Sequence, residues 1–117
     1  MFYTSENNPI AEKVYVFMSV VFPEIMETDV EVIHTDLTED NVFGWTMENN
    51  DQQEIQIHND LSERDYVTTL IHELIHVKQN VHGVTDDTIR EGEAYELENT
   101  LADIFLTGNS YRMLKQC

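Results

Sequence analysis

The sequence predicts a single α+β domain over residues 1–117, because a helix, three short strands and two longer helices follow one another along the chain. A chain of 117 residues is large enough for one hydrophobic core and too small for two. No internal repeat, low-complexity tract or linker divides it. Three consecutive strands favour a short, three-stranded and mainly antiparallel sheet.

The first half of the chain supplies the N-terminal helix and the strands. Asn8 and Pro9 form a typical helix start, with a cap and a first-turn proline, and apolar residues then recur at helical spacing until Pro23. Turn-rich, acidic connections separate three segments of strand character, which lie at residues 30–34, 42–47 and 54–58.

The second half of the chain predicts two helices. Ser62 is a suitable cap for a helix that continues to about residue 81, before Gly83. The acid-rich turn 85–88 favours the start of another helix, since acidic side chains suit the positive end of the helix dipole. We expect this last helix to end at about residue 107, before Gly108.

The net charge is strongly negative, because six lysine and arginine residues stand against 23 aspartate and glutamate residues, which gives −17. Such a surface repels phosphate groups, so direct binding to nucleic acid is not expected. The charge favours a highly soluble protein. It also favours basic segments in any peptide or protein that the chain binds.

No segment has the length or composition of a membrane span or of a secretory signal. The longest apolar run, from Val14 to Phe22, is far shorter than the roughly 20 residues that a bilayer requires. The residues before it lack the basic start and the cleavage pattern of a signal peptide. We therefore expect a cytoplasmic protein without membrane contact.

The stretch HELIH, residues 72–76, contains an H-E-x-x-H motif. Residues four apart lie about 40° apart around a helix and one turn apart along it, so His72 and His76 can face one tetrahedral metal ion. Glu73 lies about 100° from His72, beside the ligands, where it can act on an attacking water as general base. The pattern predicts a catalytic zinc site. A structural metal, or two histidines that simply pack or face solvent, are the alternatives.

Catalytic zinc normally has three protein ligands, so the third must come from elsewhere in the chain. Glu93 is the preferred ligand, because it lies at the edge of an apolar stripe on the last helix, where a carboxylate needs a cation to offset its desolvation. Glu91 and Glu96 are alternatives. His82 would complete a metzincin-like spacing, but Gln79 allows the helix to continue and directs His82 away. The predicted stripe consists of Ala94, Leu97, Leu101, Ile104 and Phe105.

Several other polar side chains are candidates for orienting the ligands or for stabilising an oxyanion. These candidates are Arg90, Tyr66, His82, His58 and Tyr111. The side chains of Glu91, Glu98 and Tyr95 are expected further around the last helix, toward the face opposite its apolar stripe.

The motif TLIHELIHVKQ (69–79), followed by EGEAYELE (91–98), resembles the minimal zincin metallopeptidases of the gluzincin type. It is most similar to small phage and bacterial proteins and to the active-site helices of ImmA/IrrE-like and thermolysin-like enzymes. The resemblance covers about residues 55–101 and implies a zincin-like domain in which the glutamate before an alanine, here Glu93, is the third ligand. Thermolysin-like enzymes have a histidine-orienting aspartate four residues later. Leu97 stands at that position, so another group must take this role.

Together the motifs and the resemblance imply a metallopeptidase that hydrolyses peptide bonds, with Zn²⁺ bound by the two histidines and Glu93, and with Glu73 activating water. If the chain is phage-encoded, its location is the host cytoplasm. In zincins an edge strand binds the substrate, which suggests residues 42–47 or 54–58 for that role and Trp45 as a subsite residue. The alternative is a zinc-binding interaction protein with weak or no catalysis, whose acidic surface binds a basic partner.

Overall fold

The computed structural model describes residues 1–5, 8–49 and 52–116, and the side chains of residues 109–116 lie outside the description. The α+β class is confirmed. No helix among these residues is long and apolar enough to cross a membrane. In chain order the elements are β1 (Phe2–Thr4), α1 (Pro9–Val21), β2 (Asp29–Thr35), β3 (Gly44–Asn49), β4 (Gln52–His58), α2 (Glu63–Val81) and α3 (Asp87–Gln116).

The sheet differs from the predicted one in the number and direction of its strands. In the described part of the chain it has four strands in the order β1-β2-β4-β3, with β2 parallel to β1 and to β4, and β3 antiparallel to β4. The prediction of a three-stranded, mainly antiparallel sheet was wrong. β1 has three residues, too few to show alternation, and alternation within a strand does not reveal its neighbours. Because β4 is an inner strand, residues 54–58 offer no free edge, whereas β3 does.

The predicted helix starts are confirmed by their caps. Asn8 Oδ1 accepts hydrogen bonds from two backbone N–H groups in the first turn of α1, at 3.0 and 3.1 Å. Ser62 Oγ accepts one from the backbone N–H of Asp65 at 3.2 Å. The predicted end of the last helix was wrong, because α3 continues through Gly108 to Gln116. An isolated glycine costs a helix about 1 kcal/mol and does not by itself end it.

The helix α2 lies at the centre of the fold, where it contacts β3 and β4, α1 and α3. Eleven of its 19 residues are buried, and the polar residues Glu73, His76 and Gln79 are among them. The apolar side chains of β2 and β4 that complete this core are Val30, Val32, Ile55 and Ile57. Polar groups on so central a helix require partners, and those partners form the site described below.

Gly44, the first residue of β3, allows the edge strand to approach α2 closely. A Cβ atom at this position would lie 2.8 Å from Thr69 Cγ2 and 3.0 Å from the backbone carbonyl oxygen of Gln56. Thr46 follows on the same face of β3 and hydrogen bonds to Glu73. The absence of a side chain at Gly44 therefore helps to bring β3 to the buried glutamate.

Gly44→Ala is expected to destabilise the fold by about 1–3 kcal/mol, because the added methyl group overlaps Thr69 and the backbone of Gln56. Gly92→Ala is a matched control, since nothing lies within 4 Å of a Cβ atom there. Removing that glycine from α3 should stabilise the protein by about 0.5–1 kcal/mol. Urea unfolding measures both changes. Effects of the same sign and size would contradict the close approach of β3 to α2.

Candidate metal centre

Three side chains from two helices bring their donor atoms together. His72 and His76 lie one turn apart on α2, and Glu91 lies near the start of α3. The two Nε2 atoms are 3.1 Å apart. Glu91 places one oxygen 2.8 Å from His76 Nε2 and the other 3.5 Å from His72 Nε2. Each of the three residues thus offers a donor atom within 4.8 Å of the other two.

Each histidine is oriented through its other ring nitrogen. His72 Nδ1 donates to a carboxylate oxygen of Glu98 at 2.9 Å, and His76 Nδ1 donates to Gln79 Oε1 at 2.8 Å. The orientation of the Gln79 amide follows from its nitrogen, which donates to two protein oxygens, each at 2.9 Å. Both neutral imidazoles therefore carry their proton on Nδ1 and present a lone pair on Nε2.

This arrangement brings unshared electron pairs into close contact. The two Nε2 atoms and the Glu91 carboxylate face one another; the histidine side chains are 12% and 8% exposed, and that of Glu91 is 48% exposed. In such partly desolvated surroundings the negative ends of these groups repel one another unless a positive charge lies between them. A proton on one histidine would compensate part of this repulsion. A metal ion would interact favourably with all three donors at once.

The donor set fits a zinc ion. Tetrahedral bonds of about 2.0–2.1 Å place ligand atoms roughly 3.3–3.4 Å apart. The two Nε2 atoms are 3.1 Å apart, close to that value, and the two oxygens of Glu91 lie 2.8 Å from the Nε2 atom of His76 and 3.5 Å from that of His72. Two imidazoles and one carboxylate also leave a fourth coordination position for water or substrate, which is typical of catalytic zinc.

Glu73 lies beside this donor group and does not belong to it. Its side chain is buried, and its Oε1 accepts a hydrogen bond of 2.7 Å from Thr46 Oγ1. Burial raises the pKa of the Glu73 carboxyl from 4.5 to about 7, against the lowering effect of the Thr46 hydrogen bond and of His76. A carboxyl that titrates near neutrality can both accept and release a proton there.

Glu93, the preferred ligand from the sequence, contacts other residues. Its Oε2 accepts a hydrogen bond from Lys78 Nζ at 2.7 Å, and its Oε1 accepts one from Gln79 Nε2 at 2.9 Å. The hydrogen bond from Lys78 lowers the pKa of the Glu93 carboxyl. The structure therefore brings Glu91, one of the alternatives, to the two histidines in place of Glu93.

The misplacement of Glu93 arises from the buried face of α3. The predicted stripe included Ile104, which is 54% exposed, and omitted Ala102, which is fully buried. Exchanging these two residues turns the buried face by roughly 30°, at about 100° per residue of an α-helix. Glu91 and Glu98 then lie closer than Glu93 to the centre of that face. An alanine is a weak hydrophobic signal beside an isoleucine, so sequence patterning favoured the wrong rotation.

The other predicted polar residues contact groups outside the donor set. Tyr66 Oη lies 2.7 Å from a histidine of β2, and His82 lies 2.7 Å from a glutamate that follows α1. Arg90 lines the cleft, but its guanidinium donates at 2.8 Å to two oxygens at and beyond the end of α2. Glu96 is exposed on α3 and has no donor atom in the group. Tyr111 lies outside the described side chains.

Glu98 and Gln79 orient the histidines, and sequence reasoning missed both. Their spacing carried a usable signal. Glu98 follows Glu91 by seven residues, or about two helical turns, and Gln79 follows His76 by three. Glu98 therefore lies on the same face of α3 as Glu91, and Gln79 lies on the same face of α2 as His76.

Thr46 and Tyr95 are two further residues of the site that the sequence did not indicate. Thr46 reaches Glu73 through the pairing of β3 with β4, which no local pattern reveals. Tyr95 lies one turn after Glu91, and its ring stands edge-on to His72 with 5.1 Å between the ring centroids. It was expected on the opposite face of α3, for the same reason as Glu98.

These groups lie in a cleft of about 950 Å³ that residues of β3, α2 and α3 line. Its wall also includes Trp45, whose indole N–H donates to the side chain of Gln56 at 2.9 Å, and the carboxylates of Asp65 and Asp87. His58 lines the cleft too, and its Nδ1 accepts a hydrogen bond from a backbone N–H at 3.0 Å. When this histidine is neutral, its proton is therefore on Nε2.

Comparison with models of known protein families gives no match for this sequence, and comparison with curated proteins gives none either. The resemblance to gluzincin peptidases rests on the residues of α2 and α3 quoted above.

Glu73→Gln is expected to stabilise the zinc-free protein at high pH, because it removes a buried carboxyl that must ionise. A pKa that folding raises from 4.5 to about 7 contributes stability below pH 4.5, and this contribution is lost as the pH rises through 7. The gain from Glu73→Gln should therefore be less than about 1 kcal/mol at pH 5 and up to about 3 kcal/mol at pH 8.

Urea unfolding in the presence of EDTA measures this pH dependence. Glu96→Gln is the control, since Glu96 is exposed on α3 and its neutralisation should have the same small effect at both pH values. A gain for Glu73→Gln that does not grow between pH 5 and pH 8 would contradict the raised pKa.

Proposed function

We propose that this chain is a zinc-dependent peptidase of the gluzincin type, with His72, His76 and Glu91 as metal ligands. The observation that carries the proposal is the convergence of three donor atoms next to the buried carboxyl of Glu73. The hydrogen bonds at both Nδ1 atoms favour metal ligands over packed histidines, because they direct each Nε2 lone pair toward the same carboxylate.

Zinc bound by these residues would supply a Lewis acid that lowers the pKa of a water molecule and polarises a peptide carbonyl. Glu73 accepts the proton of the attacking water, since its carboxyl lies beside the ligands and lines the same cleft. Thr46 fixes Oε1 of this carboxyl, which leaves the other oxygen to receive the proton. The same carboxyl then returns the proton to the leaving amine.

The edge strand β3 offers backbone groups to an extended peptide. The His58 N–H donates to the Phe43 carbonyl at 2.8 Å, which makes these two residues a hydrogen-bonded pair of the antiparallel ladder. Such pairs alternate along the strand, so Gly44 and Thr46 direct their backbone groups away from β4. A substrate that adds to this edge as a further strand would lie beside Glu73.

A zinc titration of the purified 117-residue chain should reach one equivalent. Glu91→Ala should raise the dissociation constant by at least about 100-fold, because a ligand is lost. Glu93→Ala removes a hydrogen bond to Gln79 but no metal ligand, and it should raise the dissociation constant by about tenfold or less. Competition with a chromophoric chelator measures both. A larger loss for Glu93→Ala would make Glu93 the ligand, and no zinc binding by the wild type would reject the metal centre.

Glu73→Gln should still bind one zinc ion but should cleave an unstructured peptide library about 10²–10⁴ times more slowly, the usual contribution of a general base. Mass spectrometry of the products measures the rate. Glu96→Gln, on the exposed side of α3, should cleave at the wild-type rate. Unchanged cleavage by Glu73→Gln would remove this residue from the mechanism.

A second candidate function is a zinc-binding interaction protein without hydrolytic activity. The net charge of −17, together with Asp65 and Asp87 on the cleft wall, favours a basic partner. The contact of Glu98 with His72 favours the peptidase, because Glu98 supplies the histidine-orienting carboxylate that Leu97 cannot supply. A wild-type protein that binds zinc and cleaves nothing in the library would favour the second candidate.

A further inference from the structure

Gln79, which contacts the Nδ1 atom of His76, is held in the fold by three side-chain hydrogen bonds. The residue is 1% exposed. Its Oε1 accepts from His76 Nδ1 at 2.8 Å, and its Nε2 donates to the backbone carbonyl of Arg90 and to Glu93 Oε1, each at 2.9 Å. Both N–H groups and one oxygen lone pair of the amide therefore have partners, and two of those partners belong to α3.

Glu93 is itself fixed through its second oxygen. Lys78 Nζ donates to Glu93 Oε2 at 2.7 Å and lies 4.6 Å from the centroid of the Phe22 ring. This ion pair is 17% and 34% exposed at its two side chains. Lys78 therefore holds the Glu93 carboxylate through Oε2, while Oε1 of the same carboxylate accepts from the Gln79 amide nitrogen.

We propose that Gln79 is a positioning residue of the metal centre, which keeps His76 in the Nδ1–H tautomer with Nε2 toward Glu91. The proposal rests on the metal centre proposed above. A reversed amide would place N–H groups against the Nδ1 proton and an oxygen against two acceptor oxygens, so all three hydrogen bonds would be lost. The Glu93 carboxylate thus selects the amide orientation, and that orientation selects the histidine tautomer.

The amide is also the appropriate group at this position. A carboxylate on residue 79 could accept from His76 Nδ1, but its other oxygen would face Glu93 and the Arg90 carbonyl, which are both acceptors. Like charges at this distance in a buried position are strongly unfavourable. His72 differs in this respect, since its partner Glu98 is a carboxylate on the cleft wall.

The zinc affinity of Gln79→Leu tests this role, with Asn80→Leu as the matched control. Asn80 is the next residue of α2, and its side chain binds those of Gln53 and Arg90 without touching a ligand. Gln79→Leu should raise the zinc dissociation constant by about 10–100-fold, whereas Asn80→Leu should leave it unchanged. Thermal unfolding with EDTA separates both results from loss of the fold. Equal shifts in the two variants, or no shift for Gln79→Leu, would overturn the inference.

The tautomer of His76 provides a second test that requires no folded variant. The ¹⁵N chemical shifts of its ring in the wild-type chain, with EDTA at pH 8, should show a protonated Nδ1 and an unprotonated Nε2. A predominant Nε2–H form would overturn the inference even if Gln79→Leu does not fold. A wild type that binds zinc while Gln79→Leu keeps full affinity rejects the positioning role alone. A wild type that binds no zinc rejects the metal centre and the positioning role together.

Discussion

The close approach of three electron-rich groups is the constraint on which the rest of the structure depends. The Nε2 atoms of His72 and His76 and the carboxylate of Glu91 lie within 3.5 Å of one another. No proton lies between the two ring nitrogens when both carry theirs on Nδ1. Such groups remain together only where other contacts press α2 against α3, or where a cation binds them all. The buried residues Ala94 and Ala102 allow α3 to pack closely against α2, since small side chains let two helices approach each other.

Polar contacts near the end of α2 join this helix to α3 and to the sheet. Asn80 accepts from Arg90 on α3 and donates to Gln53 on β4, which in turn donates to Glu48 on β3. No buried side-chain nitrogen or oxygen in the described part of the chain lacks a hydrogen-bond partner. These hydrogen bonds join the end of α2 to the start of α3 and to the sheet, and none of them involves a side chain of the donor group.

Short-range sequence signals predicted the helices that carry the site. The features that the sequence did not predict depend on long-range contacts. The cap at Ser62 and the H-E-x-x-H spacing identify α2 and the same-face placement of its histidines, because both depend on residues within two turns. The rotation of α3 depends on whether Ala102 or Ile104 is buried, a choice that hydrophobicity alone decides wrongly. The contact of Thr46 with Glu73 depends on which strand lies at the edge of the sheet, and alternation carries no information about that order.

Stability and the proposed chemistry make opposite demands on the same residues. The burial that raises the pKa of Glu73 into the range of a useful base also makes its ionised form unfavourable in the folded chain. The donor group beside it adds a second unfavourable term, since its lone pairs oppose one another. A zinc ion bound there, as proposed, would offset both effects with one positive charge, and by mass action it would stabilise the folded state that alone presents these donors together. On this reasoning the features that destabilise the zinc-free chain are the ones that give the folded chain its affinity for the ion.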